Sequence, residues 1–285
     1  MPSKAPFLKY ALLYRKLVSA AWSDISAEPR AAFVQAVNDW NPEKAKEAQA
    51  DLVKLGGALV EEISAKGIQV CASILNASDK FWVKHAETER AAQGVSTEKA
   101  HRVRVRKAEE ATLDLLVEQQ IEAFLKKFPE RVLDPELRRE IELMAASPMA
   151  RDIDVARIAQ RIEKLMEAEK YWDDLSQVQI ARLWQANGIF MAEAEGVKRV
   201  QIVEVMGDKR TCPVCVAAHG QEIEVGRAAD KLRSGLKITD PDEYVSFWPF
   251  PRFPEVQLWS PEDWTRDGRF PPFHNRCRGQ IRYLY

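Results

Sequence analysis

Cys212-Pro-Val-Cys215 and His274-Asn-Arg-Cys277 are the residues of this 285-residue chain best suited to chemistry. Each pair holds two ligand-type side chains in the C-x2-C or H-x2-C spacing, and a long insert separates Cys215 from His274. A short pair bends the backbone so that both donors face one point. Two such pairs across a long insert are a common way to assemble tetrahedral zinc. Three thiolates and one imidazole suit Zn2+ in softness and geometry. Four protein ligands leave no open position for a substrate water, so the expected role is structural. An ion held in this way contributes on the order of 10 kcal/mol to folding at neutral pH. The expected ligands are Cys212, Cys215, His274 and Cys277. The same cysteines could instead be packed thiols or pair as disulfides, and His219 could replace His274 as a ligand. Cys71, between Val70 and Ile74, reads as a buried core thiol, and His85 and His101 read as surface residues.

The elements that must position these groups change character near residue 200. Seven of the fifteen prolines precede it, and the other eight follow it, with three of the four cysteines. The first part is rich in Ala, Glu, Lys, Arg, Leu and Gln, all good helix formers. We place a helical domain at 1–195 and a small, loop-rich α+β, zinc-knuckle-like module at 196–285, so the fold class is mainly α with a small α+β end. Ala45, Ala48, Leu52, Leu55, Leu59 and Ile63 step by three and four along one helix face. Asn41-Pro42 before them reads as an N-cap and an N1 proline. Gly56-Gly57 marks a kink or a close backbone crossing in that helix. Leu113, Val117, Ile121, Phe124 and Phe128 form a second stripe, ended by Pro129, and Asp134-Pro135 opens a shorter helix running to about Ser147. Val155, Ile158, Ile162, Leu165, Ala168, Trp172 and Leu175 form a third, continuing with a break to about Ala194. In the last part, Gln201 to Met206, Glu222 to Val225 and Gln280 to Tyr285 read as strands. Ala228 to Ser234 and the segment after Ser260-Pro-Glu-Asp263 read as helices, the second with a serine cap. Tyr244, Phe247, Trp248, Phe250, Phe253, Trp259, Trp264 and Phe270 are expected to cover the core of this module.

Lys and Arg number 42 and Asp and Glu 43, a net charge of -1, without the basic excess of a protein that coats nucleic acid. Residues 201–285 balance 12 basic against 12 acidic side chains, so a contact with DNA would have to be a local patch. His101 to Lys107 is such a basic stretch, but Glu109 and Glu110 follow it, which favours a solvated helix face. No run approaches the about 18 apolar residues of a membrane span. Met1 to Trp22 carries Lys9, Arg15 and Lys16 and is not expected to be a signal peptide. Four cysteines do not make a disulfide scaffold, so a reducing compartment is expected.

Asp208-Lys-Arg-Thr-Cys-Pro-Val-Cys215, Gly220, and Pro271-Pro-Phe-His-Asn-Arg-Cys-Arg278 together resemble the C-terminal signature of the Mu protein F-like family of phage minor head, or head morphogenesis, proteins. Ile180 to Gly188 resembles the helix that precedes that signature, and the resemblance covers about 175–285. The family pattern often closes C-R-C, whereas Gly279 follows Arg278 here. The resemblance implies a minor capsid protein of a tailed bacteriophage virion, assembled in the host cytoplasm. It implies docking at the portal protein, a role in head assembly and in DNA packaging or delivery, contact with major capsid or scaffold protein, local contact with packaged dsDNA, and no enzyme activity. The long apolar stripes make the helical part the expected portal-binding region. The alternative is a zinc-supported nuclease or DNA-binding module. A nuclease would need a base and a catalytic metal site, for which His219 and Asn275 are the loose candidates.

Overall fold

The structure is a computed structural model. It describes residues 6–95, 125–126, 128–146, 159–161, 163–165, 168–204, 206, 211–235, 238, 253–274 and 277–285. It is mostly helical, with one small three-stranded antiparallel sheet and a Cys/His cluster in the C-terminal part. The residues fall into two compact units. Unit 1 comprises Met1–Leu13, Ile68–Gln120 and Asp174–Tyr285, and unit 2 comprises Tyr14–Gly67 and Ile121–Asp173. No described helix is long and apolar enough to cross a membrane.

Helix α1 spans Leu8–Asn38 and α2 spans Pro42–Ala92. Asn41 Oδ1 accepts the Lys44 amide at 3.1 Å, so it caps α2 as expected, with Pro42 in the first turn where its missing N–H costs nothing. Ala45, Ala48, Leu52, Leu59 and Ile63 are buried, which makes the predicted stripe a packing face. A Cβ on Gly56 would overlap the backbone carbonyl of Lys126, whereas Gly57 has open space around it. The glycine pair therefore marks a close backbone crossing, and α2 runs through it without interruption.

Pro129 does not end a helix. It opens a π turn, Pro129–Leu133, in which the Asp134 amide donates to the Pro129 carbonyl, and α3 follows at Asp134–Ala146. Phe128 before it is already helical, with φ -57° and ψ -51°, and the fixed φ of proline lies in the helical range, so helical backbone runs through Pro129 into α3. Of the second stripe Leu113 to Phe124, and of the third Val155, Ile158 and Ile162, lie outside the described residues, as do His101 to Lys107 and Tyr244 to Phe250. The core of unit 2 is an aromatic cluster. Trp22, Phe128 and Trp172 are fully buried, with Phe128 centred 5.0 Å from Trp22 and 4.2 Å from Trp172. Gln49 donates to Asp134 Oδ1 at 2.7 Å, which pins the start of α3 to α2.

Ala168, inside the third stripe, has a φ of +49°, and α4 follows at Glu169–Ala194, unbroken where a break is expected after Leu175. Residues 178–192 of α4 are buried on every side. A helix buried all round needs partners for its polar groups. Asn187 donates to Ser78 Oγ at 3.0 Å and Asp79 Oδ1 at 2.8 Å, and Gln185 donates to the Gly279 carbonyl at 3.0 Å. Gly188 lets Trp82 close on the helix, since a Cβ there would lie 2.5 Å from the indole.

Strands β1, Arg199–Val203, β2, Glu222–Glu224, and β3, Gln280–Leu284, pair antiparallel in the order β2-β1-β3. Val200 faces Ile223 on one side and Tyr283 on the other, and Ile202 faces Ile281. All five are buried, so alternation directs one face of the sheet into the core. Tyr283 stacks on Trp82 at 5.5 Å and donates its hydroxyl to the Gly188 carbonyl at 2.7 Å. Gln93 donates to the Tyr283 carbonyl and accepts the Tyr285 amide, each at 2.8 Å. One side-chain amide thus occupies the edge of β3 as a neighbouring strand would. Between β1 and β3 lie four short helices: α5, Pro213–Ala218; α6, Val225–Gly235; α7, Phe253–Val256; and α8, Pro261–Asp267. Ser260 and Asp263 form a reciprocal capping box at the start of α8.

His85 is not a surface residue. It stacks on Phe81 at 5.9 Å and meets the edges of Trp82 and Tyr283, each at 5.2 Å. Burial lowers its pKa below the ordinary value of 6.5, with the Glu89 carboxylate opposing and Arg282 adding to the effect. The folded state therefore favours neutral imidazole. Its contribution to stability is present above pH 6.5, where the unfolded chain is also neutral, and is lost as the pH falls below it.

Two measurements check this packing. In urea unfolding, Gly56→Ala should destabilise by about 1–3 kcal/mol because the added methyl meets backbone. Gly57→Ala should stabilise by about 1 kcal/mol from helix propensity alone. For His85, the stability lost from about pH 7.5 to about pH 5.5 should be smaller in His85→Phe, which keeps a ring and removes the titration. An equal loss in both chains would show that His85 is not the responsible group.

Candidate metal centre

The two halves of the cysteine pattern meet in unit 1. Cys212 is the N-cap of α5, in extended backbone with φ -75° and ψ 160°, and its Sγ accepts the Cys215 amide at 3.4 Å. Pro213 fixes the first turn, and Cys215 one turn on is buried. On the other side, the Cys277 amide donates to the His274 carbonyl at 3.1 Å, which holds these two residues together. Cys215 Sγ lies 3.1 Å from His274 Nε2 and 3.8 Å from Cys277 Sγ.

Two donor groups result, and they share Cys215. Cys212, Cys215 and His274 form one, with ligand atoms all within 4.8 Å of one another. Glu204, Cys215 and Cys277 form the other within the same limit. Cys212, Cys215 and His274 are close enough to hold a metal ion. Two sulfurs bound to one zinc at tetrahedral angles stand about 3.8 Å apart. The Cys215–Cys277 distance is that edge without any movement. Cys212, Cys215 and His274 therefore fit an ion in donor type and spacing, whereas Cys277 meets only Cys215 of these and is grouped with Glu204.

His219 takes no part in either group. Its Nδ1 accepts the Glu204 backbone amide at 3.0 Å, which uses it to hold the end of β1. All four cysteines are free thiols, so no disulfide joins any pair, and Cys71 is buried as expected. Asn275 lies outside the described residues.

Glu204 is the member that the sequence reading passed over. It directly follows β1, and alternation from Val200 through Ile202 carries it onto the buried face. Its Oε1 is 3.9 Å from Cys277 Sγ. The signal was available: a carboxylate in the third inward position of a strand has to find a partner or a cation.

The electrostatics of the cluster are those of acids crowded out of water. Burial raises the Glu204 pKa to about 9, and negative charge on Cys277 adds to the effect. Cys277 is shifted down, first through its thiol contact with Cys215 and then through backbone hydrogen bonds at Phe273 and Gly279. Cys215 is shifted up by the same thiol–thiol contact and by burial. Ionising every donor together requires a compensating positive charge, which a divalent cation supplies.

No protein-family model, curated protein or solved structure matches the chain.

The burial of the thiols sets an order of reactivity. Cys215 and Cys277 are 2% and 4% exposed and Cys71 is 5% exposed, whereas Cys212 is only half-buried. In native, metal-stripped protein a bulky maleimide should label Cys212 first, as read by mass spectrometry of timed digests. Simultaneous labelling of Cys212 and Cys277 would contradict the burial described here.

Proposed function

We propose that this chain is a minor head protein of a tailed bacteriophage, a structural component that docks at the portal vertex and whose C-terminal part is fixed by a structural zinc ion. The observation that carries this reading is the convergence of Cys212 and Cys215 with His274 and Cys277. These residues are the heart of the pattern that resembles the Mu protein F-like family; Cys212, Cys215 and His274 lie within 4.8 Å of one another, and Cys277 joins them through Cys215, 3.8 Å away. Cys212, Cys215, Cys277 and His274 would hold the ion, as three thiolates and one imidazole. When bound, the ion supplies charge neutralisation and cross-linking between α5 and the turn that enters β3. With its positions taken by protein, such a centre supports the fold and offers no site to a substrate water. Docking is then the mode of action, with the portal as partner and head assembly and DNA packaging or delivery as the process served.

The metal part of this reading is tested on protein purified without chelator. Elemental analysis should give about one zinc per chain, and Cys215→Ser should abolish it. Unit 1 contains 196–285 together with 174–195, so loss of the ion should raise amide exchange across residues 174–203 as well as in the ligand loops. Metal-free wild-type protein with full protection there would leave a packed-thiol core and remove the zinc. The docking part is tested by co-purification of the full chain with the portal protein encoded beside it. Retention with the portal at moderate salt is expected. Failure to bind any head protein, together with Mg2+-dependent cleavage of DNA lost in a His219→Ala variant, would replace docking with nuclease chemistry.

A further inference from the structure

We infer that Glu204 supplies a carboxylate oxygen to this metal centre, at the position that a side chain on residue 279 would otherwise fill. The inference deepens the structural-metal reading above and rests on it. The carboxylate enters from the Cys277 side of the centre, where Glu204, Cys215 and Cys277 form their own donor group. Three independent features converge on it. The first is register: Glu204 follows Val200 and Ile202 on the inward face, and its side chain, 6% exposed, ends among the donors. The second is distance. Oε1 stands 3.9 Å from Cys277 Sγ, and the carboxylate, Cys215 and Cys277 are mutually within 4.8 Å. An oxygen and a sulfur sharing one zinc at tetrahedral angles stand about 3.6 Å apart, so a small rotation brings the carboxylate to ligand distance.

The third feature is the space itself. A Cβ on Gly279 would overlap Glu204 Oε1 and lie 2.7 Å from its Cδ and 2.9 Å from Pro271 Cγ. The backbone at 279 is fixed, because its carbonyl accepts from the fully buried Gln185 at 3.0 Å. Residue 279 lies two positions beyond Cys277, on the same side of the centre as Glu204. The carboxylate thus stands where a side chain from 279 would begin. The glycine and the glutamate are complementary, one vacating and the other filling a single donor position.

Cobalt substitution in the full chain tests this, with Co2+ as the probe and its thiolate-to-cobalt and ligand-field absorption as the readout. Glu204→Gln keeps the shape and replaces a carboxylate with a poor metal donor. It should weaken Co2+ affinity, measured by chelator competition, by at least about tenfold, and change the ligand-field bands. Glu204→Ala combined with Gly279→Cys should recover the affinity. It should also raise the thiolate-to-cobalt absorption by about a third, as a fourth thiolate joins three. Far-UV circular dichroism confirms folding of each variant, and if the double variant does not fold, the glutamine variant carries the test alone. Wild-type affinity and spectrum in Glu204→Gln would overturn this inference while leaving the metal centre intact. A folded double variant without added thiolate absorption would overturn it as well. A wild-type chain that binds neither cobalt nor zinc would remove the metal centre, and this inference with it.

Discussion

The meeting of Cys215 with Cys277 and His274 is the contact on which the order of the C-terminal part rests. The elements there are short: strands of three and five residues and helices of four to eleven. Helices of that length are not stable alone in water, and short strands need a packed face. Closing the chain between residues 62 apart costs conformational entropy that grows only slowly with length. A contact that closes such a loop therefore brings its two ends together at modest cost. Here it brings the first turn of α5 against the entry to β3, and β3 then reaches β1 in register.

The second determinant is the stretch of α4 from 178 to 192, buried all round. Apolar packing alone would allow it to slide or rotate among its neighbours. Its polar side chains remove that freedom. Asn187 finds Ser78 and Asp79 on α2, and Gln185 finds the carbonyl of Gly279. Gly188 admits Trp82 at one height only, and the Tyr283 hydroxyl reports that same height by bonding the Gly188 carbonyl. The register of this helix and the location of the donor cluster are thus one problem, because Gln185 holds the backbone just beyond Cys277.

Much of this was legible in the residues. Asn41-Pro42 announced the start of α2, Ser260 the start of α8, and the alternation in 222–225 and 280–285 the outer strands. The C-x2-C and H-x2-C spacing identified Cys212, Cys215 and His274 as neighbours because each pair carries its own turn. What escaped notice depended on contacts distant in sequence. Pro129 reads as a stop because proline breaks helix interiors, yet helical backbone passes through it by way of a π turn. His85 looked solvent-exposed because nothing local requires its burial; Tyr283, from the last strand, encloses it. Glu204 carries no local signal of its partners: it follows β1 on the buried face, and Cys215 and Cys277 reach it from distant parts of the chain.

The strand order carries a consequence for how the molecule is made. Unit 2 is complete once Asp173 has been synthesised. Unit 1 is not, because β1 sits in the middle of the sheet with β2 on one edge and β3 on the other. β2 emerges soon after β1 and can cover one edge as a local hairpin. The other edge waits for residues 280–284, at ribosomal speeds of about 5–20 residues per second. During that interval Val200 and Ile202 have an open side, and the thiols of Cys212 and Cys215 emerge before His274 and Cys277 exist to meet them. Every residue of unit 2 has then been made, whereas the sheet of unit 1 is completed only when synthesis reaches β3.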